Sequence, residues 1–376
     1  MSPVHLRHQI GQLLMAGFPG TSLTVELRAL AREFSLGGVV YFARNVEEPA
    51  QVAEVSREIA TLTDELPPWV SVDQEGGRVA RFKRGFTLWP PMSTLGRSGD
   101  VELARQFARA LTVELRAVGI TLDFAPVLDV FTNPKNTVIG DRALAQRAED
   151  VATLGVAIIE ELQRGGIAAC GKHFPGHGDT LADSHHDLPL VEHEPDRLRA
   201  VEFVPFRAAI AAGVASLMSC HVLLPAFDET RPGTLSPDIV QGLLRDELGF
   251  DGLIFTDDME MKAIAARMPV PDACVAAIAA GCDAVLVCSG NHDLQAATIE
   301  ALIRAVERGE LPYARVEQAL AHQRRAKQRF LVSAPSPTVS LTDLLATEAH
   351  QAVADQMARF AWVRRCGVRR RCARAT

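Results

Sequence analysis

Eight times along this chain a short apolar run is followed by a longer amphipathic stretch, and this alternation restricts the fold more than any other feature. The runs are 13–18 (LLMAGF), 37–42 (GGVVYF), 69–73 (WVSVD), 122–128 (LDFAPVL), 168–173 (AACGKH), 215–221 (ASLMSCH), 252–257 (GLIFTD) and 283–288 (DAVLVC). The stretches that follow them lie near 22–35, 47–63, 99–118, 147–164, 196–212, 236–248, 260–280 and 292–308. In 147–164, Val151, Leu154, Ile158 and Leu162 fall on one helix face, and Gly165-Gly166 ends the pattern. Several runs are almost continuously apolar, as strands covered on both faces are. Eight strand–helix pairs in series predict an α/β fold, a single-domain (β/α)8 barrel, with a doubly wound open sheet as the alternative. Polar residues gather where the runs end, at Asp73, Lys172, His173, His221 and Asp257. A barrel assembles its site from such strand ends, which favours the closed form.

The chain has 376 residues, of which 48% are apolar and 23% charged, enough for a large core in a soluble protein. Its net charge of −7 argues against a nucleic-acid partner. The seven cysteines are odd in number and scattered, several of them in apolar runs. They read as reduced, buried thiols of a cytoplasmic protein. The first ten residues lack the apolar segment of a signal peptide, and no run of eighteen apolar residues predicts a membrane span. The barrel domain is expected over 1–335, up to the linker-like Ser333-Ala334-Pro335-Ser336-Pro337. Residues 336–376 are expected to hold one helix near 341–362 and a partly disordered tail, with six arginines and no acid between Arg364 and Arg374. A monomer is expected.

Chemistry is concentrated in Lys172-His173-Phe174-Pro175-Gly176-His177-Gly178-Asp179-Thr180, followed by Asp183-Ser184-His185. Pro175 has no backbone donor, and Gly176 and Gly178 are free to take positive φ, so the segment reads as a loop. Histidine changes charge near neutral pH, which suits such a loop to proton transfer. Asp183 and His185 form an i, i+2 pair in which the carboxylate can hold one ring nitrogen and leave the other to exchange a proton; a solvated loop pair is the plainer reading. His177 reads as shaping the glycine turn. Asp257 closes its strand after the turn Gly249-Phe250-Asp251-Gly252 and suits a nucleophile, a base or a metal ligand. Asp258 follows directly; the residues alone do not separate the two, although a helix N-cap is the simpler role for Asp258.

The histidines and aspartates between 173 and 186 are numerous enough for zinc, but no HExxH or paired CxxC spacing is present and Lys172 would repel a cation. No metal and no cofactor are expected. Val72 to Phe82 ends a strand and carries Arg78 and Arg81 beyond Gly76-Gly77. Asp73 can accept two hydroxyl hydrogen bonds and Arg81 can clamp an oxygen, which suits a polyhydroxylated ligand. Arg142, Lys172 and His173 add donors.

Together these segments resemble glycoside hydrolase family 3, in particular the bacterial β-N-acetylhexosaminidases of the NagZ type. The resemblance rests on Lys172 to Gly178 with Asp183-Ser184-His185, on Leu243 to Asp257, and on Val72 to Arg81, Phe124 to Val130 and Val138 to Arg142. It spans roughly 10–330. It implies a (β/α)8 barrel that releases terminal β-linked N-acetylglucosamine with retention, from a saccharide such as a peptidoglycan muropeptide. It makes Asp257, the first of the two aspartates, the nucleophile, His185 the acid/base and Asp183 its partner, and it places Asp73, Arg81, Arg142, Lys172 and His173 on the sugar. Many members carry a second α/β sandwich domain, for which the chain beyond 335 is too short. The arginine-rich end departs from the family pattern. A β-glucosidase of the same family, a metal-dependent barrel hydrolase and a non-catalytic sugar-binding barrel are the alternatives. Phosphate is the alternative acceptor to water, because a histidine acid leaves the site neutral after giving up its proton.

Overall fold

The computed structural model describes residues 3–63, 66–181, 188–331 and 340–361. Eight parallel strands close into a barrel: β1 (Leu14–Gly17), β2 (Gly38–Tyr41), β3 (Trp69–Val72), β4 (Leu122–Asp123), β5 (Ala168–Phe174), β6 (Ser216–Ser219), β7 (Leu253–Asp258) and β8 (Ala284–Val287). Each strand pairs with its sequence neighbours, and β8 returns to β1 through Leu14–Val285 and Met15–Leu286. The closed form of the two expected topologies is the one found.

Alternation along the strands builds two cores. Met15, Val40, Cys170, Met218, Phe255 and Leu286 point into the barrel, while Leu14, Val39, Ala169, Leu217, Ile254 and Val285 face the helical ring. Phe124 and Phe255 meet edge to face inside, ring centroids 5.7 Å apart. All eight apolar runs become strands, with one shortened. The run 122–128 keeps its ladder only over Leu122–Asp123, because Pro126 has no N–H to offer a neighbour. One isolated bridge, Val127 to Lys172, continues it.

The helical stretches also appear, some of them broken. The 196–212 stretch is two helices, Pro195–Ala200 and Phe203–Ala211, because Pro205 is tolerated only in a first turn. The 260–280 stretch divides in the same way into Lys262–Ala265 and Val270–Ala280, at Pro269 and Pro271. The expected helix over 341–362 is interrupted. Leu341–Leu344 and Glu348–Ala358 flank Ala346, whose φ is +47° and whose N–H donates to the buried Glu114 at 2.8 Å.

One long helix, Tyr313–Phe330, has no counterpart in the alternating pattern. It seals the end of the barrel at which the strands begin. Phe330 joins the interior core and lies 6.5 Å from Trp69, whose indole N–H donates to Gln323 at 2.9 Å. With that end filled by side chains, a site can open only at the other. The five cysteines among the described residues are buried and unpaired.

Candidate active site

At the C-terminal mouth Asp73 leaves β3 and the chain turns through a small hairpin, Gln74–Gly76 against Val79–Ala80. The buried Gln74 side chain holds this hairpin shut, accepting from the N–H groups of Arg81 (2.8 Å) and Phe82 (3.0 Å) and donating to the Phe82 carbonyl (2.9 Å). Arg81 therefore returns beside Asp73, 3.2 Å from Oδ2, with its guanidinium 5.5 Å from the Phe42 ring centroid.

Lys172 is buried and its Nζ lies 2.7 Å from Asp73 and 2.6 Å from Glu75. Glu75 in turn receives two bonds from Arg142, at 2.7 and 2.9 Å. Burial alone would neutralise these groups, but their mutual attraction outweighs it. Lys172 and Arg81 hold Asp73 well below the carboxylate range, and Arg142 and Lys172 hold Glu75 down at about 2. Asp73 and Glu75 raise Lys172 against the lowering effect of burial.

The two strands that bring Lys172, His173, Asp257 and Asp258 to the mouth are both irregular at those residues. Between β5 and β6 the register passes from Lys172–Met218 to Phe174–Ser219, so His173 is an extra residue. Between β7 and β8 it passes from Phe255–Ala284 to Asp258–Leu286, three residues against two. Such bulges re-aim side chains and set aside strict alternation. Consecutive residues consequently face one space: Lys172 with His173, and Asp257 with Asp258, all line a cavity of about 340 Å³. Asp73, Arg81 and Arg142 line the same cavity. Six of the eight sequence-predicted site residues are thus brought together. The other two, Asp183 and His185, lie outside the described residues.

Asp257 Oδ1 accepts from the N–H of Asp258 at 2.8 Å. Asp258 is not a helix N-cap. It ends β7, the next helix begins at Lys262, and its carboxylate accepts from the N–H of Glu260 at 3.2 Å. Burial lifts Asp258 to about 7, and it lifts Asp123, beneath the hairpin, to about 7 as well. Near neutrality both are therefore partly protonated. His221 lies behind this strand end. Its Nε2 is 3.0 Å from the Asp258 carbonyl, and it does not line the cavity.

Sequence reasoning gave no role to Glu75 or Asp129 and underrated His177. Glu75 stands two residues from Asp73, a spacing that could have been read as one strand face. Asp129 is fully buried and binds both His173 and the backbone of His177. His177 is a buried member of the cavity wall, held by Thr180 at 2.6 Å, and burial lowers it to about 4. Beyond it, Asp179 receives Thr132 (2.8 Å) and pairs with His193 (2.5 Å), which fixes the loop as far as it is described. No group of three or more His, Cys, Asp or Glu side chains able to hold a metal ion occurs among the described residues.

An anionic carboxylate, a ring of fixed cations and hydroxyl acceptors, and apolar walls from Phe42, Met218 and Leu286 make a pocket for a small polyhydroxylated ligand. Comparison with known proteins agrees. The family model described as glycosyl hydrolase family 3 N terminal domain matches residues 5–326. A β-hexosaminidase of Thiobacillus denitrificans is 42% identical over 285 residues, which cover 74% of this chain and 78% of that protein. The solved glycoside hydrolase family 3 β-N-acetylglucosaminidase of a Paenibacillus species superposes with a TM-score of 0.91 at 43% identity, covering 94% of this chain and 68% of that one. NagZ of Neisseria gonorrhoeae, solved in complex with N-trifluoroacetyl-D-glucosamine, gives a TM-score of 0.77 at 33% identity, covering 93% and 98%. On the strength of the matched span and these identities, the chain belongs to glycosyl hydrolase family 3.

Proposed function

We propose that this protein is a retaining β-N-acetylhexosaminidase that removes terminal β-linked N-acetylglucosamine. The observation that carries the reading is the position of Asp257, at the bulged end of β7 in the one cavity that also presents Asp73, Arg81, Arg142, Lys172 and His173. The names of the β-hexosaminidase and β-N-acetylglucosaminidase relatives support the substrate class. Peptidoglycan muropeptides are the proposed source of the sugar and the cytoplasm the proposed place; no helix among the described residues is long and apolar enough to cross a membrane.

In the first step a carboxylate oxygen of Asp257 attacks the anomeric carbon. The bond to the leaving oxygen breaks, and the His185 imidazolium gives that oxygen its proton. In the second step neutral His185 takes a proton from water, whose oxygen attacks the same carbon and frees Asp257. Asp183 orients His185. Asp73, Lys172, Arg81, Arg142 and His173 hold the sugar hydroxyls, and their fixed charges need no rearrangement as the ring becomes cationic.

A slowed 2-fluoro-type sugar should leave its adduct on Asp257, read by peptide mass spectrometry; an adduct on any other residue ends the assignment. His185→Ala should slow substrates with poor leaving groups far more than activated aryl ones. Equal losses for both would remove His185 from the acid role.

A further inference from the structure

We infer that Asp129 is the positioning residue that decides which nitrogen of His173 meets the sugar, and that it ties this choice to the seat of the following loop. The inference rests on the proposed role of His173 as a sugar contact. Asp129 is 0% exposed, and among the described residues no lysine or arginine bonds to it. Its Oδ2 lies 2.7 Å from His173 Nδ1, its Oδ1 accepts from the N–H of His177 at 2.6 Å, and both oxygens lie 3.3 Å from the His173 N–H. His173 and His177 hold Asp129 below the usual carboxylate range against the effect of burial.

An ionised carboxylate only accepts, so the proton sits on Nδ1 of His173. When the ring is neutral its lone pair is then on Nε2. Among the described residues Nε2 faces Arg142 Nη2 at 3.5 Å, which only donates. Arg142 cannot turn away, because Glu75 grips it at two points. Both neighbours of the ring therefore require the same tautomer. A sugar hydroxyl facing Nε2 must donate to His173 and can accept from Arg142. The same carboxylate fixes the start of the loop through His177, and Gly178 lies so close to Val130 that an added Cβ would stand 1.8 Å from its carbonyl oxygen. Asp129 and Val130 form one bed for the sugar contact and the loop.

Asp129→Asn tests this because an amide cannot satisfy both partners. The His177 N–H cannot change, so the amide oxygen must face it. The amide NH₂ then faces Nδ1 of His173 and drives the ring proton to Nε2, against Arg142. In ¹⁵N-histidine NMR, with His173→Gln identifying the resonance, the wild type should show a protonated Nδ1 and the variant a protonated Nε2. Hydrolysis of an aryl N-acetylglucosaminide should fall roughly 10–1,000-fold in kcat/KM, less than the roughly 10⁴-fold of a catalytic base held in the wrong tautomer, because His173 holds the sugar and moves no proton. A wild-type ring protonated on Nε2 overturns the inference even if the variant does not fold. So does a variant that keeps the Nδ1 proton, or one that changes tautomer with kcat/KM unaltered. If the wild type does not hydrolyse the glycoside at all, the proposed function fails instead, while the tautomer is still reported.

Discussion

Glu75 bears more of the site than its lack of a chemical role suggests. It is almost wholly buried and neutralises both Lys172 and Arg142. Glu75→Gln would leave the buried Lys172 and the partly buried Arg142 with Asp73 as the remaining carboxylate bonded to Lys172, and loss of one partner from a buried ion pair costs about 3–5 kcal/mol. Thermal unfolding should shift down accordingly, and KM for an aryl N-acetylglucosaminide should rise more than kcat falls, because Arg142 and Lys172 are proposed to hold the ground-state sugar. An unchanged midpoint would show that the pairing contributes nothing. The pH dependence is also specified. Glu75 is lowered from an ordinary 4.5 to about 2, so its stabilisation is full above 4.5 and is lost as pH falls towards 2. The variant should lack that part of the acid transition. At this scale the sequence pointed to six residues that line the cavity, because most of them stand at or just beyond strand ends. It hid Glu75 and Asp129, whose importance lies in what they hold and is visible only once the strands are side by side.

Among the elements, the seat of the loop after β5 depends on backbone lying directly on backbone. Gly178→Ala should force the loop off Val130, since carbonyl oxygen has no room for a methyl group at 1.8 Å. We expect a loss of about 1–3 kcal/mol, typical of overpacking, and a fall in kcat/KM larger than that stability change alone would give. Unchanged kcat/KM would mean that the seat does not position the loop. The strands were legible because a parallel sheet covered on both faces leaves short, nearly continuous apolar runs. The bulges at His173 and Asp257 were not, since the register of a strand is a property of its partner. The Tyr313–Phe330 helix escaped for a related reason. Gln323 and Lys327 interrupt its apolar stripe, yet both are buried because polar groups of the barrel wait for them.

For the whole molecule, Lys327 is the point where closing the barrel has a pH-dependent cost. Its Nζ donates to Gln12 at 2.8 Å and to the Gly37 carbonyl at 2.9 Å, and no carboxylate bonds to it among the described residues. Burial lowers it from 10.5 to about 7. Between those values the unfolded chain binds more protons than the folded one, so stability should rise with pH from about 7 towards about 10.4. Lys327→Met should flatten that rise in urea titrations taken across the window, and parallel curves for the two proteins would refute it. The same closure governs traffic. A chamber stopped at its base by Phe330 and Trp69 opens, among the described residues, at the mouth where the strands end. Under the proposed chemistry a polymer can enter only by its tip, the severed remainder has to back out before water or any other acceptor comes in, and the freed sugar departs last along the path by which it arrived.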